Sequence, residues 1–254
     1  MKIRLKIERF NPEAGGKPFF SEYTVEARPT DRVLDLLMRV KREQDGTLTF
    51  RKSCAHGVCG SDAMRINGVE RLACKTLVQD VVRGEARDEA RDEVDEVTIQ
   101  PLRNLPVQKD LMVDQAAFFK KYRTVQPFLV NDDAPPEREW IQSPEQRSAI
   151  DDATKCILCE ACYSACPVVQ ETNPRFIGPA QIVQAQRFND DSRDRGFTLR
   201  LEALDTPDGV WACQNHFQCT RVCPRGIKVT KLINQTKRSI KKYRDERGEK
   251  THDH

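Results

Sequence analysis

Ten cysteines stand in this chain, and their spacing limits what they can do. Cys156, Cys159, Cys162 and Cys166, followed by Pro167, spell C-x2-C-x2-C-x3-C-P, the run of bacterial ferredoxins. In two-cluster versions of that run, three closely spaced thiolates reach three corners of one cube and the fourth crosses to a second cluster. A second copy is therefore expected downstream. Cys213, Cys219, Cys223 and Pro224 keep the same spacing, with His216 where the second cysteine would stand. The crossing rule gives Cys156, Cys159, Cys162 and Cys223 to a 4Fe–4S cluster. Cys166, Cys213 and Cys219 remain, and three thiolates suit a 3Fe–4S cluster, a cube lacking one corner iron. The alternative is a fourth iron held by His216, since imidazole ligates iron in Rieske centres.

The remaining cysteines follow the plant-type spacing. Cys54 and Cys59 give C-x4-C, Cys74 stands well downstream, and the intervening ligand position is Asp62. Gly57 and Gly60 let the loop wrap closely and aim backbone N–H groups at inorganic sulfide. A carboxylate oxygen can replace one thiolate on iron, so Cys54, Cys59, Asp62 and Cys74 form a 2Fe–2S ligand set. The competing reading makes Asp62 a loop acid and the site broken.

With these sets every cysteine is used. None remains for a disulfide or a nucleophile, and no side chain is assigned a catalytic role. Zinc would leave one domain a ligand short and the other with three to spare. Only four histidines exist, and His252 and His254 sit in the tail.

These sites need two kinds of scaffold. Ile3, Leu5 and Ile7 alternate with charged residues, and Tyr23 and Val25 follow the Gly15-Gly16 pair, which predicts a hairpin. Thr30 is expected to cap a helix bearing Val33, Leu36, Leu37 and Val40. The cysteine loop follows, then a strand pair about Asn67-Gly68 and a last strand over Val94–Leu102. This order is a ferredoxin-like β-grasp domain, residues 1–105. Glu85–Glu93, an EARD-EARD repeat, reads as a solvated charged excursion. Pro101–Pro106 mark the change to an all-α domain, residues 106–254, so the fold class is α+β. Ser143-Pro144-Glu145-Gln146 is a capping box with proline at the first helical position. From Leu232 a C-terminal helix is expected, with Ile233, Thr236, Ile240 and Tyr243 as its apolar stripe and a basic solvated face.

Composition narrows the function classes. The 254 residues carry a net charge of +3, too little to argue for nucleic acid. Mean hydropathy is −0.65, and no apolar run approaches the roughly 20 residues that span a bilayer. The start of the chain shows no signal-peptide apolar region. If the chain works at a membrane, a partner supplies the anchor.

The order of sites resembles the iron–sulfur subunit of succinate dehydrogenase and fumarate reductase. The segments SCAHGVCGSDAM, KCILCEACYSACP, NPRFIGPAQIVQAQRF, CTRVCPRGI and PLRNLPVQKDLMVD all carry the likeness, which covers nearly the whole chain. Some members of that family also have aspartate at the position of Asp62, whereas the EARD repeat departs from its pattern. The resemblance implies a relay. A flavoprotein partner works on succinate or fumarate at FAD, and electrons pass the 2Fe–2S, 4Fe–4S and 3Fe–4S clusters to or from a quinone. The quinone lies at a membrane anchor that carries haem b in some members, on the cytoplasmic side of a prokaryotic membrane. The family's quinone neighbours transfer only in part, to Pro167 and to His216. Val168, Val169 and Gln170 stand where tryptophan is common, Gln214 replaces a frequent histidine, and Trp211 is expected to pack beside the Cys213 loop. The rivals are the iron–sulfur subunit of a soluble fumarate reductase, which typically adds a cysteine-rich C-terminal domain, and a stand-alone ferredoxin shuttle, usually small and acidic.

Overall fold

The computed structural model describes residues 1–82 and 95–248. The EARD repeat, His252 and His254 lie outside the described residues. The chain divides into two compact units, Met1–Gln115 with Cys159–Ala161, and Ala116–Leu158 with Cys162–His254.

In the first unit, strands β1 (Lys2–Arg9) and β2 (Phe19–Glu26) form the expected antiparallel hairpin, Leu5 facing Tyr23 and Ile7 facing Ser21. Gly15 and Gly16 turn it with φ of +91° and +64°. β3 (Ala63–Ile66) and β4 (Val69–Leu72) pair about Asn67-Gly68, both in the left-handed region that such a two-residue turn requires. β5 (Asp95–Gln100) runs parallel to β1, giving the order β2-β1-β5-β3-β4. The period-two alternation of β1 puts Ile3, Leu5 and Ile7 on the covered face, fully buried, beside Val97 and Ile99 of β5. Helix α1 (Val33–Arg39), continued by a wider turn over Val40–Gln44, adds buried Val33, Leu34, Leu36, Leu37 and Val40. Each such aliphatic side chain contributes about 1.5–3 kcal/mol on burial. A one-residue slip of β1 would expose the whole set.

Thr30 does not cap α1. The helix begins at Val33, because its first N–H groups already have tertiary partners: Val33 N donates to Thr76 O and Leu34 N to Ala73 O. These bonds also tie the helix to the segment bearing Cys74. A short hairpin follows β5, made of β6 (Val107–Lys109) and β7 (Met112–Val113), and belongs to this unit. Its Asp110 accepts from Arg9 Nε at 2.9 Å, Phe10 N at 3.1 Å and Thr49 N at 2.8 Å. The division therefore falls at Gln115, after the hairpin, while the sequence signal at Pro101–Pro106 precedes it.

The described part of the second unit is helical. Its elements are α2 (Ala116–Thr124), α3 (Pro144–Thr154), α4 (Ala161–Ser164, whose first residue groups with the first unit), α5 (Pro179–Asn189), α6 (Phe197–Leu204), α7 (Gln218–Arg221) and α8 (Val229–Glu246). α3 starts at the expected capping box, with Gln146 N donating to Ser143 Oγ and Ser143 N to Gln146 Oε1. Helix α5 is buried on nearly every side and serves as the axis of the unit. Its Gln186 accepts from Thr236 Oγ1 of α8 at 2.7 Å. α8 begins at Val229, earlier than expected, and buries Val229, Thr230, Leu232, Ile233, Thr236 and Ile240.

Candidate cluster-binding sites

The Cys54 loop is the approach to β3. Ala55, Gly57 and Gly60 all have φ between +59° and +82°, a conformation that glycine adopts without strain and that curls the chain round its own sulfur atoms. Cys54 Sγ and Cys59 Sγ stand 3.1 Å apart. The His56 backbone N–H lies 3.5 Å from Cys54 Sγ, and His56 Nδ1 pairs with Cys54 O at 2.6 Å. Hydrogen bonds from the His56 N–H, then from the Cys59 side chain and the Val58 N–H, hold the Cys54 thiol down to about 6. Cys74, on the turn after β4, is the opposite case. Burial, with Asp62 beside it, pushes its thiol up to about 12, against a lowering pull from the Gly57 N–H. Iron must displace that proton on binding.

Asp62 joins the two segments. It is 3% exposed, and its Oδ2 accepts from Cys74 N at 2.6 Å. Its Oδ1 is buried without a hydrogen-bond partner in the protein. A buried carboxylate oxygen left bare costs free energy unless something binds it. The donor set Cys54, Cys59, Asp62 and Cys74 therefore fits an iron–sulfur cluster, with Oδ1 as the oxygen available to iron.

The two cysteine runs of the helical region share a backbone as well as a spacing. Leu158 and Glu160 have φ of +54° and +66°, and the corresponding Asn215 and Phe217 have +58° and +62°. In both copies a short helix then carries the third position, Cys162 on α4 and Cys219 on α7, and a proline follows the last cysteine. Four non-glycine residues at matched places in the left-handed region are unusual. The repeat is thus conformational, and it curls each loop round its first cysteine.

Electrostatic coupling links five of these cysteines in two groups. Burial raises the Cys156 thiol, and the nearby Cys223 raises it further. Burial also raises Cys166, with Cys213 adding to it, and pushes Cys219 up to about 11, with Cys213 and Cys166 adding. Cys166, Cys213 and Cys219 line one shallow, open cavity. Pro167, Phe176, His216 and Thr230 are on the same wall. Cys159 groups with the first unit, and its place beside Cys156 and Cys223, like that of Cys162, rests on the sequence run. Among the described residues no three histidine, cysteine, aspartate or glutamate side chains converge where a single ion could sit.

Two stretches match family models: residues 4–120 the 2Fe–2S iron–sulfur cluster binding domain, and residues 152–227 the 4Fe–4S dicluster domain. Across 93% of its length the chain is 40% identical to the fumarate reductase iron–sulfur subunit of Mycobacterium tuberculosis (strain CDC 1551 / Oshkosh), covering 92% of it. It belongs to the iron–sulfur subunits of succinate dehydrogenase and fumarate reductase. It is also 36% identical, over 92% of its length, to the succinate dehydrogenase iron–sulfur subunit of Coxiella burnetii, covering 94% of that protein. A chain of the Mycobacterium smegmatis Sdh1 complex in the apo form superposes with a TM-score of 0.79 at 30% identity, over 95% of this chain and 97% of that one. Like its family, this subunit transfers electrons within an oxidoreductase and combines a β-grasp domain with a helical one.

Other side chains of this iron–sulfur subunit hold the Cys213 segment. His216 is exposed and its Nε2 pairs with Gln214 Oε1 at 3.0 Å. Trp211, two residues before Cys213, donates from Nε1 to Asp205 Oδ1 at 2.7 Å, and Lys237 Nζ donates to Cys213 O at 2.8 Å. The sequence reading passed over Thr220 and Thr230. Thr230 is a hydroxyl within the buried stripe of α8, a signal that was present in the apolar periodicity.

Proposed function

We propose that this subunit is the electron relay of a succinate:quinone or quinol:fumarate oxidoreductase. Its partners are an FAD-bearing flavoprotein and a membrane anchor, and it sits on the cytoplasmic side of a prokaryotic membrane. The observation that carries this reading is the sorting of Cys166, Cys213 and Cys219 into one cavity, apart from the coupled pair Cys156 and Cys223. It supports a three-thiolate ligand set separate from the site of Cys156 and Cys223, which the sequence run completes with Cys159 and Cys162, in addition to the Cys54 loop.

Cys54, Cys59, Asp62 and Cys74 hold the 2Fe–2S cluster. Cys156, Cys159, Cys162 and Cys223 hold the 4Fe–4S cluster, and Cys166, Cys213 and Cys219 the 3Fe–4S cluster. When bound, these groups supply one-electron carriers, and substrate chemistry belongs to the flavoprotein. The chain's own residues fix the thiolates in place, exclude water by burial and direct N–H groups at sulfur, which together set the potentials. Pro167 and His216, on the wall of the three-thiolate cavity, are the quinone-side neighbours. No helix among the described residues is long and apolar enough to cross a membrane. In this reading the anchor supplies the bilayer contact.

The test is purification of the tagged subunit from detergent-solubilised membranes. A flavoprotein containing FAD and a membrane-spanning anchor, with or without haem, should accompany it, and the oxidised complex should show a 3Fe–4S EPR signal. Recovery of the chain with neither partner would refute the assignment.

A further inference from the structure

A hydroxyl pair lies against one sulfur of the three-thiolate site. Thr230 Oγ1, on the first turn of α8, stands 3.5 Å from Cys219 Sγ and 3.0 Å from Thr220 Oγ1 of α7. Thr230 N donates to Thr220 Oγ1 at 3.0 Å. Thr230 is 2% exposed and Cys219 is 8% exposed, so water competes little for these bonds. Thr230 also lines the cavity that Cys166, Cys213 and Cys219 share.

The proton positions follow by elimination. A sulfur bound to iron is a thiolate and has no proton to give, so the bond between Thr230 Oγ1 and Cys219 Sγ must use the Thr230 proton. Thr230 has only one hydroxyl proton. The 3.0 Å bond between the two hydroxyls must therefore use the Thr220 proton. Thr220 Oγ1 can give it away because it accepts from Thr230 N. The result is a one-way relay from backbone N–H to Thr220, to Thr230 and to sulfur, in which each bond polarises the next.

We infer that Thr230 is a positioning residue that donates to the Cys219 thiolate, is oriented by Thr220, and raises the reduction potential of the cluster there. The inference rests on the reading of Cys166, Cys213 and Cys219 as the 3Fe–4S ligands. Reduction adds negative charge to the cluster, and a hydrogen bond to a thiolate strengthens as that charge grows. Hydrogen bonds to sulfur are among the determinants of cluster potential. The position also gives a reason for a buried threonine on α8 where a valine would fill the same space, as Thr236 has its own in the bond to Gln186.

The experiment is an EPR-monitored redox titration of the purified complex. A 3Fe–4S signal in the oxidised wild type establishes the underlying reading, and its absence would remove that reading whatever the variants do. Thr230→Val keeps the shape and deletes the donor. At a fixed poise its reduced-to-oxidised ratio should fall about tenfold, which is about 59 mV downward for one electron. Thr220→Val should shift the potential in the same direction by less. Thr230→Ser should keep the wild-type value, and the 2Fe–2S centre should not move in any variant. An unchanged 3Fe–4S potential in Thr230→Val, with its signal intact, would overturn the inference. If Thr230→Val and Thr230→Ala both lose the cluster, retention by Thr230→Ser supports it, because the hydroxyl is the group the serine keeps. Loss in the serine variant as well would leave a packing role for the methyl group and overturn it.

Discussion

Asp62 gives its two oxygens different tasks, and three substitutions separate them. Oδ2 accepts from Cys74 N at 2.6 Å, whereas Oδ1 has no protein partner. Asp62→Ala removes both. A hydrogen bond to a charged group contributes about 1.5–3 kcal/mol, and the orphaned Cys74 N–H stays buried. The Asp62–Cys74 junction should therefore open about 10–100 times more often, at 1.4 kcal/mol per tenfold, before any loss of iron ligation is counted. Asp62→Asn keeps an acceptor for Cys74 N but offers iron a neutral oxygen. Asp62→Cys offers iron a thiolate but no second oxygen to accept from Cys74 N. Expected 2Fe–2S half-lives in chelator fall in the order wild type, Asp62→Cys, Asp62→Asn, Asp62→Ala, with a shifted potential in the cysteine variant. The assay is visible-absorbance decay together with the EPR signal of the reduced complex. An Asp62→Ala protein with wild-type g-values and a half-life within about twofold of wild type would show that Asp62 does not ligate, whatever bond it makes to Cys74.

Three further outcomes are expected. His216→Cys completes the second C-x2-C-x2-C-x3-C-P run, so the 3Fe–4S EPR signal of the oxidised protein should give way to an EPR-silent 4Fe–4S centre of lower potential; persistence of the signal would mean position 216 does not face the cluster. In cluster-stripped protein at pH 7, iodoacetamide should modify Cys54, already thiolate above about 6, far ahead of buried Cys74, whose thiol sits at about 12; the Cys54 rate should level off above pH 7 and fall below 6, and equal labelling of the two by mass spectrometry would contradict the site's electrostatics. Arg200 is fully buried and donates to both oxygens of Asp194, at 2.7 and 2.9 Å, and to the carbonyls of Gln126 and Phe128. Breaking such a pair costs about 3–5 kcal/mol, so Arg200→Met should sharply lower the denaturant midpoint of the helical unit's clusters, and a change below about 1 kcal/mol would count against it.

What was legible in the sequence was local. The alternation of Ile3, Leu5 and Ile7, the Asn67-Gly68 turn and the Ser143–Gln146 box each carry their structural reason within a few residues, and each stands in the fold as expected. The start of α1 was not local, because Thr76 and Ala73 satisfy the N–H groups that a Thr30 cap would have served. The same applies to Arg9. Its partners Asp45 and Asp110 lie 36 and 101 residues away, and no periodicity announces them. At the cluster sites, residue type and spacing named the candidate ligands. The bare Oδ1 of Asp62 and the Thr220–Thr230 pair depend on which segments pack together, so only the fold could reveal them.

The two cysteine runs isolate what distinguishes one cluster from the other. Their loops have the same spacing, matched left-handed residues and a short helix at the same place. Backbone shape therefore does not account for a complete set of thiolates in one copy and a depleted set in the other. The difference lies in side chains: Cys159 in the first run against His216 in the second, and the surroundings of the sulfur atoms. A loop that already curls as its twin does needs no rearrangement to accept a cysteine at 216, so loss of the vacant corner should leave the fold intact. The two kinds of substitution act on different quantities. His216→Cys changes how many irons the second site holds, whereas Thr230→Val changes how readily a three-iron site accepts an electron. A shift of potential without a change of EPR type in the threonine variant, and a change of type in the cysteine variant, would place nuclearity and potential under the control of separate residues in one cavity.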